Sequence, residues 1–403
     1  MGTPTSVKWY SNVSATAPTL NGLAGSLIAL LDAVLKDGYG LKTLDSLIVA
    51  GNVATCTVSA GHGYLSNQVV VIAGATPSGL NGEVRITVLS ATVFRFSTAG
   101  ISDQTATGTI TAKIAPLGWT KPFSGTNLAA YKPSDPQATG MYLRVDDTQI
   151  VTARHARVTG CEAMVDLNTF TGQFPTTAQL NGGMFWGKSA TLDSTARNWY
   201  VIGDERCFYI GISPHPTNAA NGFILYFAGD ILPLGSQDMY HYLLSGPSSD
   251  FTTYGSGGLT HCMSCGGPGG AGQMYLPRLN SQLGGSVLAT RAGALNWGTD
   301  YSGSTSYAGG LLPSFPNPID GAVMVTPVLI FEGGNASQRG ARGFAPGMYH
   351  LPINGSATAY NHLDVVTGVD TMPGKTFLAV RTGNPAQTAY AGCTLFDLFG
   401  PWR

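Results

Sequence analysis

Between Leu47 and Ala112 the chain breaks every few residues, and each break follows a short β-branched run. Leu47-Ile48-Val49, Val53 to Val58, Val69 to Ile72, Val84 to Val88, Thr92 to Phe96 and Thr107 to Ala112 are separated by turn signals such as Gly61-His62-Gly63 and Asn81-Gly82. Runs this short are below helix length, and their regular spacing predicts a small antiparallel sandwich or barrel. In Val84-Arg85-Ile86-Thr87-Val88 the valines and isoleucine alternate with Arg85 and Thr87, which predicts one strand with a buried and a wet face.

One segment has helical spacing instead. From Leu20, the positions Leu23, Leu27, Ile28, Leu30, Leu31, Val34 and Leu35 recur at three and four residues. Thr19 or Asn21 is a suitable cap, and Gly38 is a stop signal. The apolar face of this amphipathic helix needs a partner, either its own domain or another subunit. Val7-Lys8-Trp9-Tyr10 before it reads as an extended arm.

After Pro116 strands return. Met141 to Asp147 alternates Tyr142 and Arg144 against Leu143 and Val145. Trp199 to Ile202 and Phe208 to Ile212 flank the polar turn Gly203-Asp204-Glu205-Arg206, a hairpin pattern. Phe223 to Phe227, Ala322 to Phe331 and Thr376 to Val380 are further strands, with Pro327 marking an edge or a bend. The expected architecture is mainly β: an arm and amphipathic helix over 1–45, an inserted β-sandwich module over 46–115, and a larger β-rich body over 116–403. The body contains a glycine-rich loop at 254–272, whose composition cannot bury a core.

Charge limits the function classes. Only 11% of residues are charged, against about 25% in an average soluble domain. A surface this poor in charge is weakly protected against association, so much of it is expected to be covered by other copies in a homo-oligomer. The net charge of -1, without a cluster of Lys or Arg, argues against nucleic-acid binding. The first residues lack an apolar stretch of signal-peptide length, and no apolar run is long enough to span a membrane. The expectation is a protein made in the cytoplasm with six reduced cysteines.

Four groups of residues carry possible chemistry. Cys262 and Cys265 form a Cys-x-x-Cys pair, a weak metal candidate, since tetrahedral zinc needs two more ligands and only His261, His241 or Cys207 is left to supply them. Ordinary loop thiols are the plainer reading. The carboxylates Asp146, Asp147, Glu162, Asp166, Asp204, Glu205 and Asp230 read as solvated turn and strand-end groups, because neighbours on a strand point to opposite faces. The seven histidines are dispersed, and His62 reads as a hydrogen-bonded turn residue. Trp186, Trp199, Tyr200, Tyr240, Tyr242, Trp297, Tyr301 and Tyr307 suit either a platform for a host-surface glycan or a β core. No catalytic residue, cofactor or resident metal is expected.

Several stretches carry a resemblance: Val7-Lys8-Trp9-Tyr10-Ser11, Ala17 to Ile28 leading into Gly38-Tyr39-Gly40, Gly118 to Asn127, Leu143 to Asp147, Phe227-Ala228-Gly229-Asp230, Arg342 to Tyr349 and Gly400 to Arg403. In these the chain resembles uncharacterised structural virion proteins of tailed bacteriophages. The 46–115 module is similar to small β domains inserted in phage tail and fibre proteins. The resemblance implies a structural virion component assembled in the host cytoplasm, with no catalytic residues to carry over. The expectation is a non-enzymatic, tail- or baseplate-associated subunit that assembles with copies of itself and other virion proteins. A receptor-binding or host-adhesion subunit and a head decoration or neck protein are the alternatives.

Overall fold

In the computed structural model the described residues are 3–149, 154–216, 223–250, 263, 272–292, 319–323, 325–333, 340–351, 360–368, 371–383 and 391–403. Strand accounts for 47% and helix for 5%, so the chain is mainly β, in antiparallel sheets.

Three consecutive strands form the middle of the molecule: Asn198–Gly203, Cys207–Ser213 and Ile224–Asp230. Apart from Asn198, every residue in them is buried. Both alternating sets of side chains are apolar or aromatic, as a sheet covered on both faces requires. Trp199, Val201, Phe208, Ile210, Ile212 and Tyr226 face one core, shared with Leu143, Val158 and Trp186 of a five-stranded sheet. There the Trp186 and Tyr226 rings stack at 5.4 Å, and Trp119 meets Phe208 edge-on at 5.2 Å. Tyr200, Ile202, Tyr209, Leu225 and Phe227 face a second core, shared with Val380, Phe396 and Trp402. Tyr209 lies 4.7 Å from Phe227 and 4.8 Å from Phe396, centroid to centroid. The expected hairpin forms, pairing Trp199 with Ile212 and Gly203 with Phe208.

These strands belong to a sheet of 13 strands among the described residues. It begins at Lys8–Ser11, which pairs with Asn198–Gly203, and ends at Val365–Thr367. The strands Thr376–Gly383 and Ala391–Asp397 lie near its far end, yet their side chains reach the second core over the middle strands. The large sheet therefore folds back over itself. Pro327 lies where pairing with Gly340–His350 loses register, past the last bond to Val287–Ala292, as a residue without an N–H requires.

Residues 39–114 form two facing sheets. Tyr39–Thr43, Thr111–Ile114, Val69–Ala73 and Gly82–Arg85 make one; Thr87–Ser90, Val93–Ser97, Val53–Thr57, Ser46–Ala50 and Gln104–Thr105 make the other. The expectation of one strand over Val84 to Val88 is corrected. Its first half is in one sheet and its second half in the other, with buried Ile86 at the corner. Arg85, expected on the wet face, is 6% exposed. Its guanidinium donates to the main-chain oxygens of Pro4, Asn67 and Val7 and lies 4.8 Å from the Phe399 ring. Burial brings its pKa down to about 10. One side chain thus ties the sandwich to the first residues of the large sheet and to Phe399. The core of the sandwich continues through the helix into the five-stranded sheet without a break.

The helix is shorter than its spacing suggests. It runs over Ser26–Leu31 and widens into a π-type turn over Asp32–Asp37. Leu27, Ile28, Leu30, Leu31, Val34 and Leu35 are buried, whereas Leu23 lies outside the helix and is exposed. Neither Thr19 nor Asn21 caps it. The cap position is Gly25, in a left-handed conformation, and the Leu27 N–H donates to Asp147 Oδ2 at 2.9 Å. Asp147 was expected to be solvated, but it is fully buried together with Lys188, whose ammonium donates to Asp147 Oδ1 and to the Leu23 carbonyl. Burial raises the pKa of Asp147 despite Lys188, and lowers that of Lys188 despite Asp147. Desolvation outweighs attraction on both sides, so the pair positions the helix at an energetic cost. Lys188→Met leaves Asp147 buried with its main cation gone. It is expected to lower unfolding stability by roughly 3–5 kcal/mol in urea titrations.

Candidate functional site

The aromatic residues that suit a sugar platform are mostly core. Trp186, Trp199, Tyr200 and Tyr242 are 0% exposed, because each sits on a strand covered on both faces or against the first core. Tyr240 is half-buried under the Arg278 guanidinium, 4.4 Å from its centroid. Trp297, Tyr301 and Tyr307 lie outside the described residues.

The metal candidates Cys262 and Cys265, with His261, also lie outside the described residues, as does most of the 254–272 tract. Of the other ligands considered, Cys207 is buried in the second core and His241 faces Asp230. Among the described residues no group of three or more His, Cys, Asp or Glu side chains is arranged to hold a metal ion. Cys56, Cys161, Cys207 and Cys393 are free and buried. Burial pushes the thiols of Cys56, Cys161 and Cys393 up to about 12, so at neutral pH they are packing groups rather than nucleophiles.

The described histidines sit in separate places. His62 Nδ1 accepts from the Tyr64 N–H (2.9 Å), so its Nε2 carries the hydrogen and donates to the Ser90 carbonyl (2.9 Å), as a turn-holding role requires. His350 is fully buried, and burial first, then Arg291 beside it, holds its pKa well below the usual range. His362 stacks on Phe223 at 4.3 Å, and burial lowers its pKa to about 4. His155 lies within ion-pair distance of Asp250, at 3.1 Å, and burial lowers its pKa.

The carboxylates divide. Asp166 is an exposed turn residue that accepts from the Asn168 and Thr169 amides, as expected. Asp147, Asp204 and Asp230 are buried, which corrects their reading as solvated groups. The unforeseen hub is Arg342. It is buried, and its five N–H bonds are all used: on Asp238 Oδ2 (2.9 Å) and Oδ1 (3.0 Å), Glu332 Oε2 (2.7 Å), and the Arg278 and Tyr240 carbonyls (2.8 and 3.1 Å). Arg278 in turn makes a two-pronged ion pair with Glu162 of the neighbouring β segment. A lone arginine in Gly340 to Gly343 gives little hint of this. A charge in a charge-poor chain is the one signal available.

A concave site lies near the C-terminal strands. A cleft of about 500 Å³ opens on the outer face of the C-terminal strands, beside Val365–Thr367. Val323, Val325, Met372, Phe377 and Leu395 line it, with the Tyr360 phenol and the Asp320 carboxylate. Its volume is in the range of ligand sites. Its lining is mixed: apolar side chains stand beside the Asp320, Tyr360, Thr367 and Thr371 side chains.

No protein-family model matches the chain, and no curated protein is significantly similar to it.

Arg342→Met is expected to lower stability by about 3–5 kcal/mol, because buried Asp238 loses its cation. Arg342→Lys, with three donors for five acceptor positions, is expected to recover only part of that loss. Urea unfolding of both variants reads the difference.

Proposed function

We propose that this chain is a non-enzymatic structural subunit of a tailed-phage virion, tail- or baseplate-associated, that works as a symmetric homo-oligomer. The observation that carries the reading is where the few charges go. Of 21 basic and 22 acidic side chains, eleven are buried among the described residues: Lys8, Arg85, Asp147, Lys188, Arg197, Asp204, Asp230, Asp238, Arg291, Arg342 and Asp397. That leaves at most 32 charged side chains for the outer surface of a 403-residue chain. It also carries large apolar side chains, among them Leu41 (67% exposed), Val165 (75%), Leu283 (72%) and Met239 (63%). A surface of this kind is suited to burial against other subunits. The phage assignment rests on the sequence resemblance, and the tail position is the narrowest part of the proposal.

Two measurements test it. Light scattering on the purified chain at micromolar concentration is expected to give a closed oligomer of one mass. Imaging of phage particles is expected to locate the chain in the tail or baseplate. A stable monomer absent from purified virions overturns the proposal, and density at the neck or head moves the site.

A further inference from the structure

Asp147 follows the strand Tyr142–Asp146, and Lys188 follows the strand Met184–Gly187 of the same five-stranded sheet. Both side chains are 0% exposed, and Lys188 Nζ lies 2.5 Å from Asp147 Oδ1. Each main chain is pinned. The Asp147 N–H donates to the Asn127 carbonyl at 2.9 Å, its carbonyl accepts from the Gly25 N–H at 3.1 Å, and the Lys188 N–H donates to the Arg154 carbonyl at 2.6 Å. Amine and carboxyl therefore meet directly, in one fixed pose.

Their other partners are of a particular kind. Asp147 Oδ2 accepts from the Leu27 N–H at 2.9 Å, and Lys188 Nζ donates to the Leu23 carbonyl at 2.6 Å. A main-chain donor thus faces the carboxyl and a main-chain acceptor faces the amine. A secondary amide carries one acceptor oxygen and one N–H, so it satisfies both groups. It does so without charge, whereas the ion pair bears the desolvation of two charges in the interior.

We propose that Lys188 and Asp147 condense into an intramolecular isopeptide bond, Nζ to Cγ, with loss of one water. The pair first becomes neutral, as one proton passes from Nζ to Oδ1 across their contact. Burial favours that transfer, since it raises the Asp147 pKa and lowers that of Lys188. The freed lone pair on Nζ attacks Cγ and the C–N bond forms. Negative charge collects on Oδ2, where the Leu27 N–H already donates. A second proton passes from Nζ to Oδ1, the Cγ–Oδ1 bond breaks and water leaves. Oδ2 becomes the amide oxygen, and the last hydrogen on Nζ stays on the Leu23 carbonyl. Leu23 itself is exposed, which gives the water a short way out. No co-reactant is consumed. The fixed approach of the two groups supplies what the same condensation lacks in dilute solution. The bond closes the segment 148–187 covalently and needs only the fold, not the virion assignment.

Mass spectrometry tests it on wild-type protein held folded at neutral pH and then denatured. The intact mass is expected to be one water below that of the sequence. Trypsin cuts after Lys188 only where its amine is free. The digest is expected to join Val145 to Arg154 with Val158 to Arg197 in one branched peptide, whose fragments place the bond at Asp147 and Lys188. Lys188→Arg keeps a cation without the nucleophilic amine and is expected to have its full mass. A full wild-type mass, with 145–154 and 158–188 recovered as separate peptides, overturns the proposal. A missing water that maps elsewhere, such as a succinimide at Asp37-Gly38, also overturns it. If Lys188→Arg does not fold, the wild-type peptide map decides alone.

Discussion

The structure depends on a sheet segment with no outer face. The strands Asn198–Gly203, Cys207–Ser213 and Ile224–Asp230 are covered on both sides, and everything else is arranged to provide that cover. The five-stranded sheet lies over Trp199, Val201 and Phe208, and the same core runs on into the helix and the sandwich. The C-terminal strands lie over Tyr200, Ile202 and Tyr209. Each large side chain fully buried contributes about 1.5–3 kcal/mol, and these strands bury such side chains at successive positions rather than alternate ones. Exposing either face would leave a run of aromatics in water. The two outer layers are therefore obligatory, and residues far apart in sequence, such as Leu143 and Phe396, are bound to the same three strands.

Double coverage leaves few ways to satisfy polar groups at the seams. The chain meets this with single charged side chains that each serve several partners. Arg85 saturates main-chain oxygens from the first residues and from the module. Arg342 spends all five donors between Asp238, Glu332 and two carbonyls. Asp147 joins a helix start to Lys188. Such groups cost desolvation energy and return position. They occupy the junctions between layers, where an apolar contact would allow the layers to slide.

Strands and the hairpin were legible in the sequence because periodicity is a local signal. Leu143 and Val145 turn inward against Tyr142 and Arg144, as their alternation implies. The same reasoning failed at Val84 to Val88, where a regular alternation conceals a change of sheet at Ile86. Alternation reports which residues are apolar, not which sheet they join. The helix was visible, yet its start moved to Ser26 because the capping group, Asp147, comes from 120 residues away. The buried carboxylates were misread for the same reason: Lys188, Thr139 and His241 reach Asp147 and Asp230 only through the fold. The cleft is equally non-local, assembled from Val323, Tyr360, Met372, Phe377 and Leu395.

Placing charges at internal junctions has a consequence for the surface. A chain with 11% charged residues has few to distribute. Each one that fixes a layer is one fewer to keep copies apart in solution. The interior and the exterior thus draw on the same small set of side chains, and the interior takes Arg342, Arg85 and Lys188. For a free monomer this division weakens solubility. For a subunit whose outer faces meet other subunits it carries no such penalty, because those faces are desolvated on assembly and charges there would oppose it.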